Sequence, residues 1–330
     1  YADTGRNAVC SGAFDWEHDG AVTQYGWVAD LVELNFPVGE MLCPSNPARS
    51  SEAYEQLLTS TFTADVCNIP RVGYPPEVLP DGTKTPAPCY QMATNSGSFP
   101  PNSAARIALI EGDIYDLGYN TNYVPSWYLV RSEVLIEEEA GDSVYAGDHE
   151  NKWEDAHPDD LSCAAGNKWR NSTAGPLSHT RLDRGLYPAS AVPLMGDGAP
   201  TLMAISSPIG DIPAGSFLVR SMTRGPVRKS DMQEVDYTSD QAKSGGAGWF
   251  AMWNNNVRQD YSQFGALHDG VANILFGDGG VRSYKDTDGD GLLNNGFGTS
   301  GPYATGNVEI GPEEVVDRWS LNAPKLSVIP

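Results

Sequence analysis

The run ANILF (272–276), then Gly-Asp-Gly-Gly, then VRSYK (281–285) constrains the fold more than any other stretch of the chain. Both arms are rich in β-branched, aromatic or alternating residues. Only turn residues separate them, and a parallel crossover would need a dozen residues or more, so the two arms must pair antiparallel. Gly277, Gly279 and Gly280 are expected to supply the positive φ that a tight reversal needs, and Asp278 to accept from amides of its own turn.

Helical spacing dominates upstream. A helix is predicted over 25–36, with Trp27, Leu31 and Leu34 on one face and Pro37 ending it, and another over 50–58 with Ser51 as its cap. A third is predicted over 102–118, where Ile107, Ile110, Ile114 and Leu117 share a face and Gly118 forms the C-cap. Strands are expected at 126–136 (SWYLVRSEVLI), 201–206 and 216–223. Helices followed by antiparallel strands read as α+β. The organisation expected is a short segment 1–20, one globular domain over 21–310 with polar insertions near 137–173 and 226–256, and a tail over 311–330.

Charge decides between partners. With 21 Lys plus Arg against 43 Asp plus Glu, the net charge of −22 repels nucleic acid and anionic lipid and attracts polyvalent cations. No apolar run approaches the roughly 20 residues of a membrane span. The sequence opens at Tyr1 and shows no signal peptide, which reads as an exported, proteolytically processed chain at the cell surface or beyond it.

Immediately after the hairpin comes D-T-D-G-D-G-L-L-N-N-G (286–296). Alternate carboxylates in a turning loop converge, so Asp286, Asp288, Asp290 and the Leu292 carbonyl, with Asn294 direct or through water, form a candidate calcium cage. Position twelve is Phe297, where an EF-hand would supply Glu, so further ligands are expected from outside the loop. The competing reading is a solvated acidic turn. A second acidic stretch, GDHENKWEDAHPDD (147–160), includes His149, Glu150, Glu154 and His157, but it lacks H-E-x-x-H spacing and contains Pro158; it reads as an exposed loop, as do Glu137, Glu138 and Glu139.

Five cysteines (10, 43, 67, 89, 163) show no CxxC and no zinc spacing. Spacing alone leaves the connectivity open. Cys67 with Cys89 is the preferred bridge because it would close the Pro-rich loop, Cys10 and Cys43 are further candidates, and buried free thiols are the alternative. Asn171-Ser172-Thr173 fits a glycosylation sequon. No G-x-S-x-G, P-loop or dinucleotide fingerprint is present, so the chain reads as non-enzymatic.

The segment HDGVANILFGDGGVR places His268 nine residues before Asp278-Gly279. This resembles the H-x9-DG signature of the prepilin-type proteins abundant in planctomycetes, whose C-terminal hairpin carries a similar H-x-G-x-x-N-x-x-F-x-D-G-x-V pattern. MLCPSNP (41–47) resembles that family's F-x-C-P-S-D-P element, VPLMGDGAP (192–200) its P-L-x-G-D segment, and RNAVC (6–10) the sequence that follows its stem helix. The resemblance implies a type IV pilin-like α+β fold, in which N-terminal helices pack on an antiparallel sheet. Within that fold His268, Asn273, Asp278 and Gly279 are expected to be struts of the hairpin. The hydrophobic stem of such proteins is absent from the sequence, so contacts between copies are expected through globular surfaces and chain ends.

The function expected is a calcium-stabilised structural subunit of an extracellular filament or cell-surface assembly, self-associating into a homopolymer. The alternative is a calcium-dependent surface module that binds polysaccharide, with Trp249, Phe250 and Trp253 as its platform.

Overall fold

A computed structural model describes residues 7–62, 68–139, 142–145, 170, 173–234, 257–298, 301–311, 316, 321 and 327–328. Cys67, Cys163, Asn171, the acidic stretch 147–160, the aromatic residues at 249–253 and most of the tail beyond 311 lie outside the described residues. Residues 21–310, read from sequence as one domain, are shared between two compact units: Tyr1–Cys10, Val124–Ala199 and Met222–Pro330 form one, and Ser11–Tyr123 with Pro200–Ser221 the other.

The first unit is built on a four-stranded sheet in the order Val281–Lys285, Val271–Phe276, Pro193–Asp197, Tyr123–Pro125. The predicted hairpin supplies one edge strand and the strand beside it, running antiparallel with Ala272 opposite Tyr284 and Ile274 opposite Arg282. Period-two alternation buries Ala272, Ile274 and Phe276, which join Val124, Tyr261, Phe264, Tyr284, Leu293 and Ile310 in one apolar cluster. Pro193–Asp197 pairs antiparallel on the other side, with Ile274 opposite Gly196. The sheet and the helices together bear out the α+β reading at class level.

The reversal differs from expectation in its glycines. Phe276 N donates to Gly280 O and Gly279 N to Phe276 O, both at 2.9 Å, giving a three-residue loop in which Gly279 alone takes positive φ (+79°). Gly277 is required for a different reason: a Cβ there would lie 2.9 Å from the carbonyl of Ala189.

The expected strand over 126–136 starts instead as a helical turn, Trp127–Val130. Ser126 caps it, its hydroxyl accepting from Leu129 N at 3.1 Å, and all four helical residues are buried. Extended backbone begins only at Glu133–Glu139, which pairs with Asp142–Tyr145 and, in parallel, with Ser327–Val328 of the tail. Glu133 is fully buried on this strand and is held by Arg181 at 2.7 Å.

The second unit carries the three predicted helices, as Trp27–Glu33, Ala53–Thr59 and Ala104–Ile110, together with Pro88–Thr94, which the sequence reading did not foresee. Residues 11–20 belong to its core, since Phe14 and Trp16 are buried with Tyr54, Leu57 and Leu58. Ala104–Ile110 starts at the Ser103 cap and runs into a π-turn, Glu111–Tyr115. The wider turn resets the phase of the face: Ile110 and Ile114 are buried as expected, but Leu117 is exposed and Ile107 only half-buried. Arg106 is buried in their place, donating to Leu57 O at 2.6 Å and lying over the Trp16 ring at 5.4 Å. The strands expected at 201–206 and 216–223 reduce to an Ala204–Phe217 bridge and to Leu218–Val219, which pairs in parallel with Ser50–Ser51. No described helix is long and apolar enough to cross a membrane.

Candidate functional site

The D-G of His268-Asp269-Gly270 is a turn in its own right. Asp269 (φ 55°) and Gly270 (φ 77°) are both left-handed, and His268 and Val271 exchange backbone hydrogen bonds across them at 3.0 and 3.1 Å. This turn sets His268 at the head of the central strand, where its Nε2 lies 3.0 Å from Oδ2 of Asp197. Asp197 is buried at the end of the neighbouring strand and is the Asp of the P-L-x-G-D segment. Gly265 N also donates to the Asp197 carbonyl at 2.8 Å, tying the loop before His268 to the same residue. Two sequence elements 71 positions apart thus meet in one hydrogen-bonding contact.

The other hairpin residues serve the hairpin. Asn273 accepts from Ser283 Oγ at 2.6 Å across the strand pair. Asp278 accepts from Gly280 N at 2.9 Å and faces Arg282 at 3.4 Å, while that guanidinium lies over the Phe276 ring. Asp278 is exposed, so the contact with Arg282 is largely solvated.

In the other unit, the Asn122 side chain grips the Cys-Pro element. Asn122 Oδ1 accepts from Cys43 N at 2.9 Å, and its Nδ2 donates to Cys43 O and Ala48 O, both at 3.0 Å. Cys89 is a buried thiol, pushed up to about 12 by desolvation, and its expected partner Cys67 lies outside the described residues. Cys10 Sγ makes a long contact of 4.0 Å to Leu129 O.

The three alternate carboxylates of the aspartate run come close together. One oxygen each from Asp286, Asp288 and Asp290 lies within 4.8 Å of the other two. Backbone amides draw them in: Asp286 accepts from Asp288 N (3.2 Å), Gly289 N (2.7 Å) and Gly291 N (2.7 Å), and Asp290 accepts from Leu292 N at 2.9 Å and Ala304 N at 2.8 Å. Gly289 and Gly291 both take positive φ, which lets the chain wind round the carboxylates. Leu292 packs against the apolar cluster of Val227, Met232, Phe297 and Tyr303. Asn294 is buried, and its side-chain oxygen accepts from Gly296 N and Phe297 N at 2.9 and 2.8 Å, so it braces its own turn. Phe297, at the twelfth position, stacks on Tyr303 in the core.

Two supporting residues have no signal in the sequence. The Thr305 hydroxyl donates to Asp288 Oδ2 and holds that carboxyl below the usual range. Glu309 accepts from Asn294 N at 2.9 Å and from the Thr287 hydroxyl at 3.0 Å. Thr305 and Glu309 lie beyond the loop in an unremarkable sequence, and only folding brings them to it.

Residues 134–289 match the model of a family described as "Protein of unknown function (DUF1559)", a family of planctomycete-type prepilin-like proteins. The matched stretch contains Asp197, His268, Asn273 and Asp278, and it ends between Asp288 and Asp290 of the acidic loop. No curated protein and no solved structure matches the chain.

Proposed function

We propose that the chain is a pilin-like, non-enzymatic structural subunit of an extracellular or cell-surface assembly, stabilised by calcium in the Asp286–Asp290 loop. One observation carries the reading: the residues of the H-x9-DG signature are spent on architecture. His268 is turned onto Asp197, Asn273 onto Ser283, and Asp278 onto its own turn. A general base needs a reacting group within reach, and the described partners of His268 and Asp278 are instead the neighbouring strand and the turn itself.

Calcium is supported by oxygen chemistry. Three carboxylates converge within one wound loop, and a divalent cation would offset repulsion that the surrounding amides only partly relieve. The same cation offsets the −22 charge that opposes packing one copy on another. The parallel contact of Ser327–Val328 with Leu135–Ile136 supplies a route to polymerisation, because a tail that adds to a strand of its own chain can add to the same strand of a neighbour.

The test is light scattering and electron microscopy of the purified chain, with calcium and with chelator. Calcium-dependent growth that is lost on deleting residues 322–330 supports the reading. A monomer at millimolar calcium and high protein concentration, retained on surface polysaccharide, would hand the function to the binding module.

A further inference from the structure

A cleft of 430 Å³ opens within the second unit. One wall is the loop carrying Lys84 and Pro86, and the other is the helix Pro88–Thr94 with Tyr90, Gln91 and its C-cap Asn95. Asp113 enters from the π-turn Glu111–Tyr115. The volume falls within the range of small-molecule sites, and a π-turn in an α-helix is a recurrent mark of a functional position.

Thr85 Oγ1 accepts from Glu77 N at 2.8 Å and Asn95 Nδ2 donates to Thr94 Oγ1 at 3.3 Å, which leaves four uncommitted polar groups in the cleft and the Asn95 side-chain oxygen beside them. Among the described residues nothing donates to the Asp113 carboxylate, nothing pairs with the Lys84 ammonium, and neither the Gln91 amide nor the Tyr90 hydroxyl is hydrogen-bonded. Partial burial pushes the Asp113 carboxyl up, as befits an acceptor without its donors. One acid and one base leave the lining electrically balanced, although the chain as a whole is strongly acidic.

This combination selects a ligand class. A tyrosine ring beside proline offers a flat apolar surface for the C–H face of a pyranose. The planar amides of Gln91 and Asn95 and the carboxylate of Asp113 suit its hydroxyls, each of which both donates and accepts. A polyanion would meet the −22 field of the chain, and a simple cation would meet Lys84. We infer that the cleft binds a neutral saccharide of about one or two rings, a volume in keeping with small-ligand sites. The inference does not depend on the assembly reading, and its test is run in chelator to keep the two apart.

The full chain is titrated with cellobiose, maltose and diacetylchitobiose by saturation-transfer NMR and calorimetry. At least one should bind with a millimolar to sub-millimolar dissociation constant. Tyr90→Ala should weaken it about tenfold through loss of the apolar platform. Gln91→Ala, at a half-exposed position, should also weaken it and serves if the tyrosine variant misfolds; melting temperature reports folding in each case. Asp113→Asn, which keeps an acceptor oxygen, should bind within about threefold of the parent, whereas Asp113→Ala should not. Binding of none of the three sugars, or binding left intact by both Tyr90→Ala and Gln91→Ala, overturns the inference. So does preferential binding of a small amine that Asp113→Asn abolishes.

Discussion

Asn122 grips Cys43 by both of its main-chain groups, accepting from the amide at 2.9 Å and donating to the carbonyl at 3.0 Å, as a neighbouring strand would. Both residues are buried, so no water replaces either bond. Asn122→Ala should therefore destabilise by about 1–3 kcal/mol, since it takes the acceptor from Cys43 N and the Asn122 donor from the Ala48 carbonyl, while the Cys43 carbonyl keeps the Asn46 amide at 3.2 Å. Asn122→Asp should be no better, because it turns a carboxylate oxygen towards those carbonyls. Equilibrium denaturation in urea checks both, and a midpoint unchanged in either variant would refute the role.

The contact between His268 and Asp197 should behave as a clasp. A double-mutant cycle with His268→Ala and Asp197→Ala should return a coupling of about 1 kcal/mol, since His268 is partly exposed and Asp197 buried. Additive effects would show that the two side chains are neighbours without an energetic link.

Within the acidic loop, Asp286 and Asp288 should separate by their partners. Asp286 is buried and accepts from three backbone amides, so Asp286→Ala should cost about 1–3 kcal/mol even in chelator. Asp288→Ala should act chiefly on calcium, lowering both its affinity and the calcium-induced rise in melting temperature. Calorimetric calcium binding equal to that of the parent chain would remove Asp288 from the site.

Acid should act on the same loop through Thr305. Because the Thr305 hydroxyl lowers the Asp288 value, the contribution of this carboxylate is complete above the ordinary aspartate range and is lost as pH falls through the lowered one. Thr305→Val should move the Asp288 titration back towards the ordinary value, so that the loss begins at higher pH. Carbon-detected NMR titration of the Asp288 carboxyl in calcium-free buffer follows it directly, and an unmoved midpoint would refute the assignment.

Cys89 should resist chemistry until the chain unfolds. Burial raises its thiol to about 12, so iodoacetamide at mildly alkaline pH should label it only in denaturant and without prior reduction. Labelling that requires reductant would instead reveal a disulfide at this position.

The sequence was most legible where a residue's fate depends on near neighbours. Alternation alone places Ala272, Ile274 and Phe276 inward, and alternate aspartates alone bring 286, 288 and 290 together. It misled at 127–130, where four bulky residues have strand propensity but Ser126 caps a helical turn and the surroundings bury every side chain. It was also silent on partners distant in the chain. Nothing near His268 announces Asp197, and nothing near Asp288 announces Thr305, because strand register and loop return decide both. Arg106 is the sharpest case: a charge that the pattern of the predicted helix left unplaced is buried because three carbonyls, Leu57, Phe99 and Ser60, converge on its guanidinium.

The interleaving of the two units along the chain, with crossings at 10/11, 123/124, 199/200 and 221/222, governs how the protein can be made. Residues 11–123 leave the ribosome before 200–221, so the pairing of Ser50–Ser51 with Leu218–Val219, and the Ser221 amide bound by Glu52, wait for a segment translated much later. Neither unit can finish folding as a contiguous stretch of nascent polypeptide. Synthesis thus imposes a delay in which the earlier unit stands incomplete and open to chaperones or proteases, and a scission at 123/124 would strip it of its last strand.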